Sequence, residues 1–312
     1  MRGKQPPSAP ARVAILGLGL MGGSLGLALR RAWPETAIAG YDPAPGVAIR
    51  AHELGAITDP AADLGEALAS ADLVVIAAPT LAARELLSAI GAAWSTLAPG
   101  ALITDVCSVK QPLMQWAREL LPDPIRYVGG HPMCGSERAG VEAARADLYR
   151  GARWIMTFTA ETPLKIRARV GSLVLAAGAR PVPMDAARHD RAVAGASHLP
   201  LVAAATLAQT LATQSDWNAI ADLAATGYRD TTRVAAGDPR MGRDILLTNS
   251  ANVAPLLRAY IAALERMAAA IEANDTAAIE AALRAASAAR RAWGTASAGQ
   301  TASTAELATD VL

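Results

Sequence analysis

The chain has 312 residues, 52% of them hydrophobic, which is enough for two cores when compact domains run to about 100–200 residues. Lys and Arg number 29 against 28 Asp and Glu, a formal charge of +1, so no net field recruits nucleic acid or an anionic membrane. The expected partner is therefore a small molecule. Two cysteines, Cys107 and Cys134, are too few for a disulfide framework and fit a reducing compartment, the cytoplasm.

Residues 1–11 carry Arg2, Lys4 and prolines without an apolar run, so they read as a disordered leader rather than a secretory signal or membrane anchor. The apolar surplus is alanine and leucine, with no uninterrupted span of the roughly 18 residues a membrane helix requires. Val13-Ala-Ile-Leu16 is a short apolar run that stops at glycines, and Met21 to Arg31 then has a helical pattern. Ala37–Tyr41 is a second strand, closed by Asp42 and punctuated by Pro43 and Pro45 before a helix from Gly46 to Leu54. Leu73–Ala78, closed by Pro79, and Ala101–Thr104, closed by Asp105, continue the alternation. Further strands are predicted at Arg126–Val128, Trp154–Phe158 and Pro181–Pro183, with a helix from Pro163 to Ala176.

Continuous apolar strands separated by helical stretches predict an α/β domain, Rossmann-type, over 12–184, its parallel sheet covered on both faces. From Asp185 the β-like runs cease, and helical spacing through Ala192–Thr213, Trp217–Ala225, Val253–Ala273 and Thr276–Trp293 predicts an all-α domain over 185–293. Residues 294–312, rich in Ser, Thr, Ala and Gly, read as a flexible tail.

Gly17-Leu18-Gly19-Leu20-Met21-Gly22 fits G-x-G-x-x-G directly after a strand. Gly17 permits the turn, Gly19 lets a pyrophosphate approach the backbone, and Gly22 lets helix and strand pack closely, so the phosphates rest on a helix N-terminus with Leu20 and Met21. Asp42 closes the next strand 20 residues after Gly22, where it either binds ribose hydroxyls or only caps a turn before Pro43. An anionic residue there repels a ribose phosphate, which favours NAD over NADP. Ala78 and Pro79, at the end of their strand, complete the predicted cofactor-binding set.

Strand carboxyl ends face the ligand crevice in a doubly wound sheet. Ser108, in Asp105-Val-Cys-Ser108-Val-Lys110, is placed to touch the nicotinamide ribose or substrate, or to cap the helix that starts near Lys110, itself a candidate solvated face residue. His131, just past the strand Arg126–Val128 in Gly129-Gly130-His131-Pro132-Met133-Cys134-Gly135-Ser136-Glu137, opens onto the same crevice as a candidate proton acceptor. Glu137 either gates the pocket, orients a basic group, or caps a helix downstream of it. No metal site is predicted.

Together with Gly23-Ser24-Leu25-Gly26, Ser197-His-Leu-Pro200 and Gly227-Tyr-Arg-Asp-Thr-Thr-Arg233, these motifs resemble, in unbroken order from Arg12 to Ala289, the prephenate and arogenate dehydrogenases of tyrosine biosynthesis. The resemblance implies NAD-dependent oxidative decarboxylation by a homodimer. It implies His131 and Ser108 as catalytic residues, Arg233 as the group that binds a substrate carboxylate, and Arg229 as a second basic position. It also brings Glu137 and Ser136 to the substrate side, and His189 and Ser197 toward the crevice, where their expected role is structural hydrogen bonding between helices, with direct substrate contact as the alternative. Leu201 stands where the family commonly has a histidine, and Gly242 where it has an aromatic residue. Cys107 and Cys134 stand where glycine and alanine are common, which puts two thiols near the predicted catalytic groups and makes oxidation an expected way to lower activity. The rival readings are another hydroxyacid-type dehydrogenase of similar layout, which would lean on a lysine, and a non-catalytic NAD-sensing protein.

Overall fold

The computed structural model describes residues 9–303, with side chains described as far as Gly294; the rest of the predicted leader and tail lies outside them. The first half alternates strands and helices in chain order. These are β1 (Arg12–Leu16), α1 (Leu20–Ala32), β2 (Ala37–Tyr41), α2 (Val47–Glu53), β3 (Asp59–Pro60), α3 (Leu64–Leu68), β4 (Leu73–Ile76), α4 (Thr80–Ala92), β5 (Leu102–Asp105), α5 (Gln111–Leu120), β6 (Tyr127–Pro132), β7 (Arg153–Thr157), α6 (Leu164–Ala176) and β8 (Arg180–Pro183). They form one eight-stranded sheet in the order β3-β2-β1-β4-β5-β6-β7-β8.

The pleat explains the two cores. Val13 and Ile15 of β1 enter a cluster with Leu25, Leu29 and Val170 on one face, while Ala14 and Leu16 enter a cluster with Leu87, Ile90 and Leu113 on the other. With both faces covered, β1 and β4 are apolar at almost every position, the signature of a parallel interior strand. One pair departs from the predicted parallel sheet: β7 runs antiparallel to β6, His131 opposite Ile155. The intervening 20 residues hold only a short 3-10 turn at Val141–Ala143, and a parallel return needs a crossover helix.

The second half is helical: α7 (Ala186–Val193), a π-type turn at Ala194–His198, α8 (Leu199–Ala212), α9 (Trp217–Leu223), α10 (Thr226–Thr232), a 3-10 turn at Arg233–Ala236, α11 (Pro239–Thr248), α12 (Ser250–Glu272) and α13 (Thr276–Ser303). The last helix continues through the first ten residues of the predicted tail, because alanine favours helix even where serine and threonine are frequent. At the other end, Thr36 Oγ1 donates to Pro10 O (2.8 Å) and Ala37 N to Ala11 O (3.0 Å), so the chain is tied down two residues before β1. The stretch Ala186–Ala212 is long and apolar enough, at mean hydropathy 1.2, to cross a membrane by composition. Its first turns are instead committed to the sheet domain through buried His189 and Asp190.

A Cβ on Gly22 would lie 1.9 Å from Gly17 O, so α1 sits on the glycine turn with no room for a methyl group. Gly22→Ala is expected to destabilise the chain by about 1–3 kcal/mol, lowering Tm by several degrees in a thermal melt. Gly227→Ala, in α10 with nothing within 4 Å of its Cβ, leaves Tm unchanged or higher.

Candidate active site

Among the helices that begin at the carboxyl edge of the sheet, the N-termini of α1, α4 and α5 are treated differently. The start of α1 is bare: Gly19 is its N-cap, no side chain caps it, no acid lies in its first turn, and nothing lies within 4 Å of a Cβ on Gly19. Unsatisfied backbone N–H groups and the positive end of the helix dipole therefore face open space, a fit for a dinucleotide's phosphates. Gly17 holds the turn at φ 99°, and its N–H donates to Tyr41 O (2.8 Å). Asp42, at the end of β2, accepts from Leu18 N (2.8 Å) and Ala44 N (2.9 Å), which leaves lone pairs on both oxygens for ribose hydroxyls. Met21 gives its carbonyl to the Tyr149 hydroxyl (2.7 Å) and Leu20 is buried, so both offer backbone rather than side chain to a ligand.

The other two N-termini are filled from the helical domain. Leu81 N in the first turn of α4, just past Ala78 and Pro79, donates to Asp244 Oδ2 of α11 (3.2 Å). Asp190 of α7 accepts from Lys110 N (2.7 Å) and Gln111 N (2.8 Å) at the start of α5. Sequence reasoning misses both carboxylates as site residues, since each belongs to a helix far away in the chain. The adjacent His-Asp dipeptide is the available signal for Asp190. Ser108 does not cap α5: the N-cap is Lys110, and the capping carboxylate is that of Asp190. The Ser108 hydroxyl is half-buried and without a protein partner among the described residues.

Lys110 is not a solvated face residue. Its side chain is fully buried, with the ammonium paired to Asp105 and donating to Gly130 O (2.6 Å). Asp105 also accepts from Cys107 N (2.8 Å), Gly130 N (3.1 Å) and the Tyr127 hydroxyl. Burial and the Asp105 carboxylate hold that phenol well above its usual pKa. These bonds pin the end of β5 to Gly130 of β6. A Cβ on Gly130 would stand 2.2 Å from Asp105 O, and one on Gly129 2.3 Å from Thr157 Oγ1, which is why two glycines precede His131.

His131 lies inside β6 rather than past its end, so its backbone is held by sheet pairing. Its Nδ1 is 2.8 Å from His189 Nε2, and His189 Nδ1 is 2.7 Å from Asp190 Oδ1. Asn249 donates to Asp190 O (2.9 Å) and approaches His198 Nδ1 (3.0 Å), completing a buried cluster from α7, the end of α11 and the π-type turn. Burial, helped by His189, Lys110 and His198, keeps the His131 pKa well below its usual value, so the imidazole is neutral at neutral pH. Burial likewise pulls His198 down to about 4.

Toward solvent, Glu137 from the loop after β6 pairs with Arg233 of the helical domain at 3.2 Å. Its own backbone N–H and that contact lower the Glu137 pKa. Ser136 accepts from Arg138 N (3.1 Å). Arg229, one turn before Arg233, is exposed and paired with Asp230 (3.0 Å) rather than with Glu137. Ser197 is exposed on the π-type turn, and His189 is turned to His131 and Asp190. Leu201 and Gly242 meet: a Cβ on Gly242 would be 3.5 Å from Leu201 Cδ2. Burial raises both thiols, Cys134 to about 11, which disfavours the thiolate form.

Residues 25–182 match the family description "Prephenate dehydrogenase, nucleotide-binding domain", and residues 185–285 match "Prephenate dehydrogenase, dimerization domain". The prephenate dehydrogenase of Bacillus subtilis is 34% identical over 264 residues, 84% of this chain and 71% of that protein. The cyclohexadienyl dehydrogenase of Zymomonas mobilis is 33% identical over 265 residues, 84% and 89%. Among solved structures, prephenate dehydrogenase from A. aeolicus in complex with hydroxyphenyl propionate and NAD+ superposes with a TM-score of 0.82 at 30% identity, covering 91% of this chain and 99% of that one. Synechocystis arogenate dehydrogenase gives 0.72 at 27% identity, covering 90% and 99%. A glycine turn with an uncapped helix start, a neutral histidine at the sheet edge and a helical domain docked against the starts of α4 and α5 thus coincide with extended sequence identity, and the chain belongs to the prephenate dehydrogenase family.

Proposed function

We propose that this chain carries out NAD-dependent oxidative decarboxylation of prephenate, arogenate or both, in tyrosine biosynthesis, as a cytoplasmic homodimer. The observation that carries the reading is His131, a neutral imidazole anchored through Nδ1 at the carboxyl edge of the sheet, next to the strand end that bears Ser108. Gly17, Gly19, Leu20, Met21 and Gly22 would hold the pyrophosphate, Asp42 the ribose, and Ala78, Pro79 and Ser108 the nicotinamide end. Bound there, NAD would supply the hydride acceptor for the ring carbon that carries the hydroxyl. His131 draws the hydroxyl proton as that bond breaks and returns it to the oxygen once loss of carbon dioxide has aromatised the ring, so no net proton is released. Ser108 bridges the substrate hydroxyl and the ribose. Arg233 binds a substrate carboxylate in exchange for Glu137, a trade between two anions on one guanidinium. Arg229, Ser136 and Ser197 line the approach, and His189 acts from beneath His131.

The dimer reading rests on the family domain over residues 185–285 and on apolar side chains exposed along α12, among them Ile261, Leu264 and Ile271. Two free thiols fit a reducing compartment.

The direct test is NADH absorbance from NAD with prephenate or arogenate; a flat trace with both overturns the reading. His131→Asn is expected to lower kcat by about 10²–10⁴-fold with little change in KM. Arg233→Ala is expected to raise KM by about tenfold or more while kcat stays close to wild type. Because protonated His131 cannot accept a proton and its pKa is depressed, kcat/KM rises with pH and levels off below about pH 6.5. An acidic midpoint above 7 contradicts this assignment. Light scattering at micromolar concentration should give twice the chain mass, and Ile261→Glu with Leu264→Glu should return the monomer.

A further inference from the structure

We infer that Asp190 is a positioning residue for His131, acting through His189 to hold His131 in the tautomer that leaves Nε2 bare toward the substrate. The inference rests on His131 being the base of the proposed reaction. Asp190 Oδ1 receives Lys110 N–H (2.7 Å), and Oδ2 receives Gln111 N–H (2.8 Å). A carboxylate with backbone donors on both oxygens, at the positive end of a helix dipole, acts as an acceptor, so the proton of the 2.7 Å contact with His189 Nδ1 belongs to the imidazole. A neutral imidazole protonated at Nδ1 is an acceptor at Nε2. With His189 in that one-proton form, the 2.8 Å contact has His131 donate from its own Nδ1, and its Nε2 carries the lone pair. The rings stand 78° apart with centroids at 5.0 Å, so one ring's N–H meets the other ring's edge rather than its face.

The same chain matters while His131 holds the substrate proton. The imidazolium that forms sits near Lys110 and His198, and the nearest balancing charge on the helical domain is Asp190, reached through His189. Lys110 is neutralised locally by Asp105, and His198 is neutral, with Nδ1 facing the Asn249 amide. Removing the Asp190 charge therefore weakens the base and displaces its titration to lower pH. A role confined to capping α5 would change stability and leave the tautomer and the titration as they are.

The tautomer is directly observable in the wild-type protein, which has four histidines, His52, His131, His189 and His198. Long-range proton–nitrogen correlation on 15N-histidine-labelled protein, assigned by loss of a spin system in His131→Asn, should find Nδ1–H and a bare Nε2 at His131. The Nε2–H form there overturns the inference even if NADH forms normally, whereas absence of turnover with both substrates overturns the proposed reaction independently of the tautomer. Asp190→Asn is expected to lower kcat by about ten- to a hundredfold with KM within about twofold, and to move the acidic limb of kcat to lower pH. His189→Gln, whose amide accepts from His131 and donates to Asp190, should keep most of the activity that His189→Leu loses. Equal losses in these two variants, or an Asp190→Asn limb at the wild-type pH, would falsify the positioning role.

Discussion

The carboxylate of Asp190 belongs to one domain and is solvated by the other. Taking an ionised carboxylate out of water costs several kcal/mol, a cost offset only by donors fixed in its place. Here they are the first N–H groups of α5, which would themselves be unsatisfied without a partner, and the imidazole of His189. Each side thus removes the other's desolvation penalty, but only when the helical domain is docked. Asn249 extends the arrangement by donating to the Asp190 carbonyl, which ties the start of α12 to the same point. Domain docking, the cap of α5 and the environment of His131 are consequently one interaction.

Beneath it lies a second buried charge, the Asp105–Lys110 pair, of different character. Besides the ammonium, Asp105 accepts from the backbone of Cys107 and Gly130 and from the Tyr127 hydroxyl, and Lys110 uses its remaining reach on Gly130 O. The pair is satisfied within the sheet domain and needs nothing from the helices. It determines where β6 lies against β5, and hence the height of His131 at the sheet edge. Gly129 and Gly130 are the steric condition for that approach, because a methyl group on either would strike Thr157 or Asp105. One buried carboxylate therefore sets the histidine's backbone from within its own domain, and the other sets its ring from across the boundary.

The sheet domain is legible in the sequence because its signals are local. Apolar runs such as Leu73–Ile76 buried on both faces, the glycine turn and the helix after it need no knowledge of distant residues. The reversal at β7 is not legible by alternation alone, since it depends on the lack of a helix between residues 133 and 152. Short elements such as Asp59–Pro60 leave no periodicity to detect. At the site, His131, Ser108, Asp42 and Arg233 stand out because each belongs to a motif. Lys110 reads wrongly as a surface charge because burial of a lysine depends on Asp105 and Gly130 O converging on one point in space. Asp190 and Asp244 escape for the same reason: their ligands are backbone N–H groups 79 and 163 residues away, and backbone donors leave no trace in residue identity.

That pattern bears on how the chain separates cofactor from substrate. Helix N-termini at the carboxyl edge of a parallel sheet all attract anions, and a sheet domain alone would offer those of α1, α4 and α5 together. Asp244 and Asp190 occupy the last two with carboxylates from the helical domain, leaving α1 as the uncapped one among these three. In the proposed reaction a substrate carboxylate would take the place of Glu137, which the structure pairs with Arg233 on the helical domain, away from the phosphate cradle. On that reading, ligand orientation follows from where positive potential is left uncovered, and Asp244 and Asp190 decide this by covering the starts of α4 and α5.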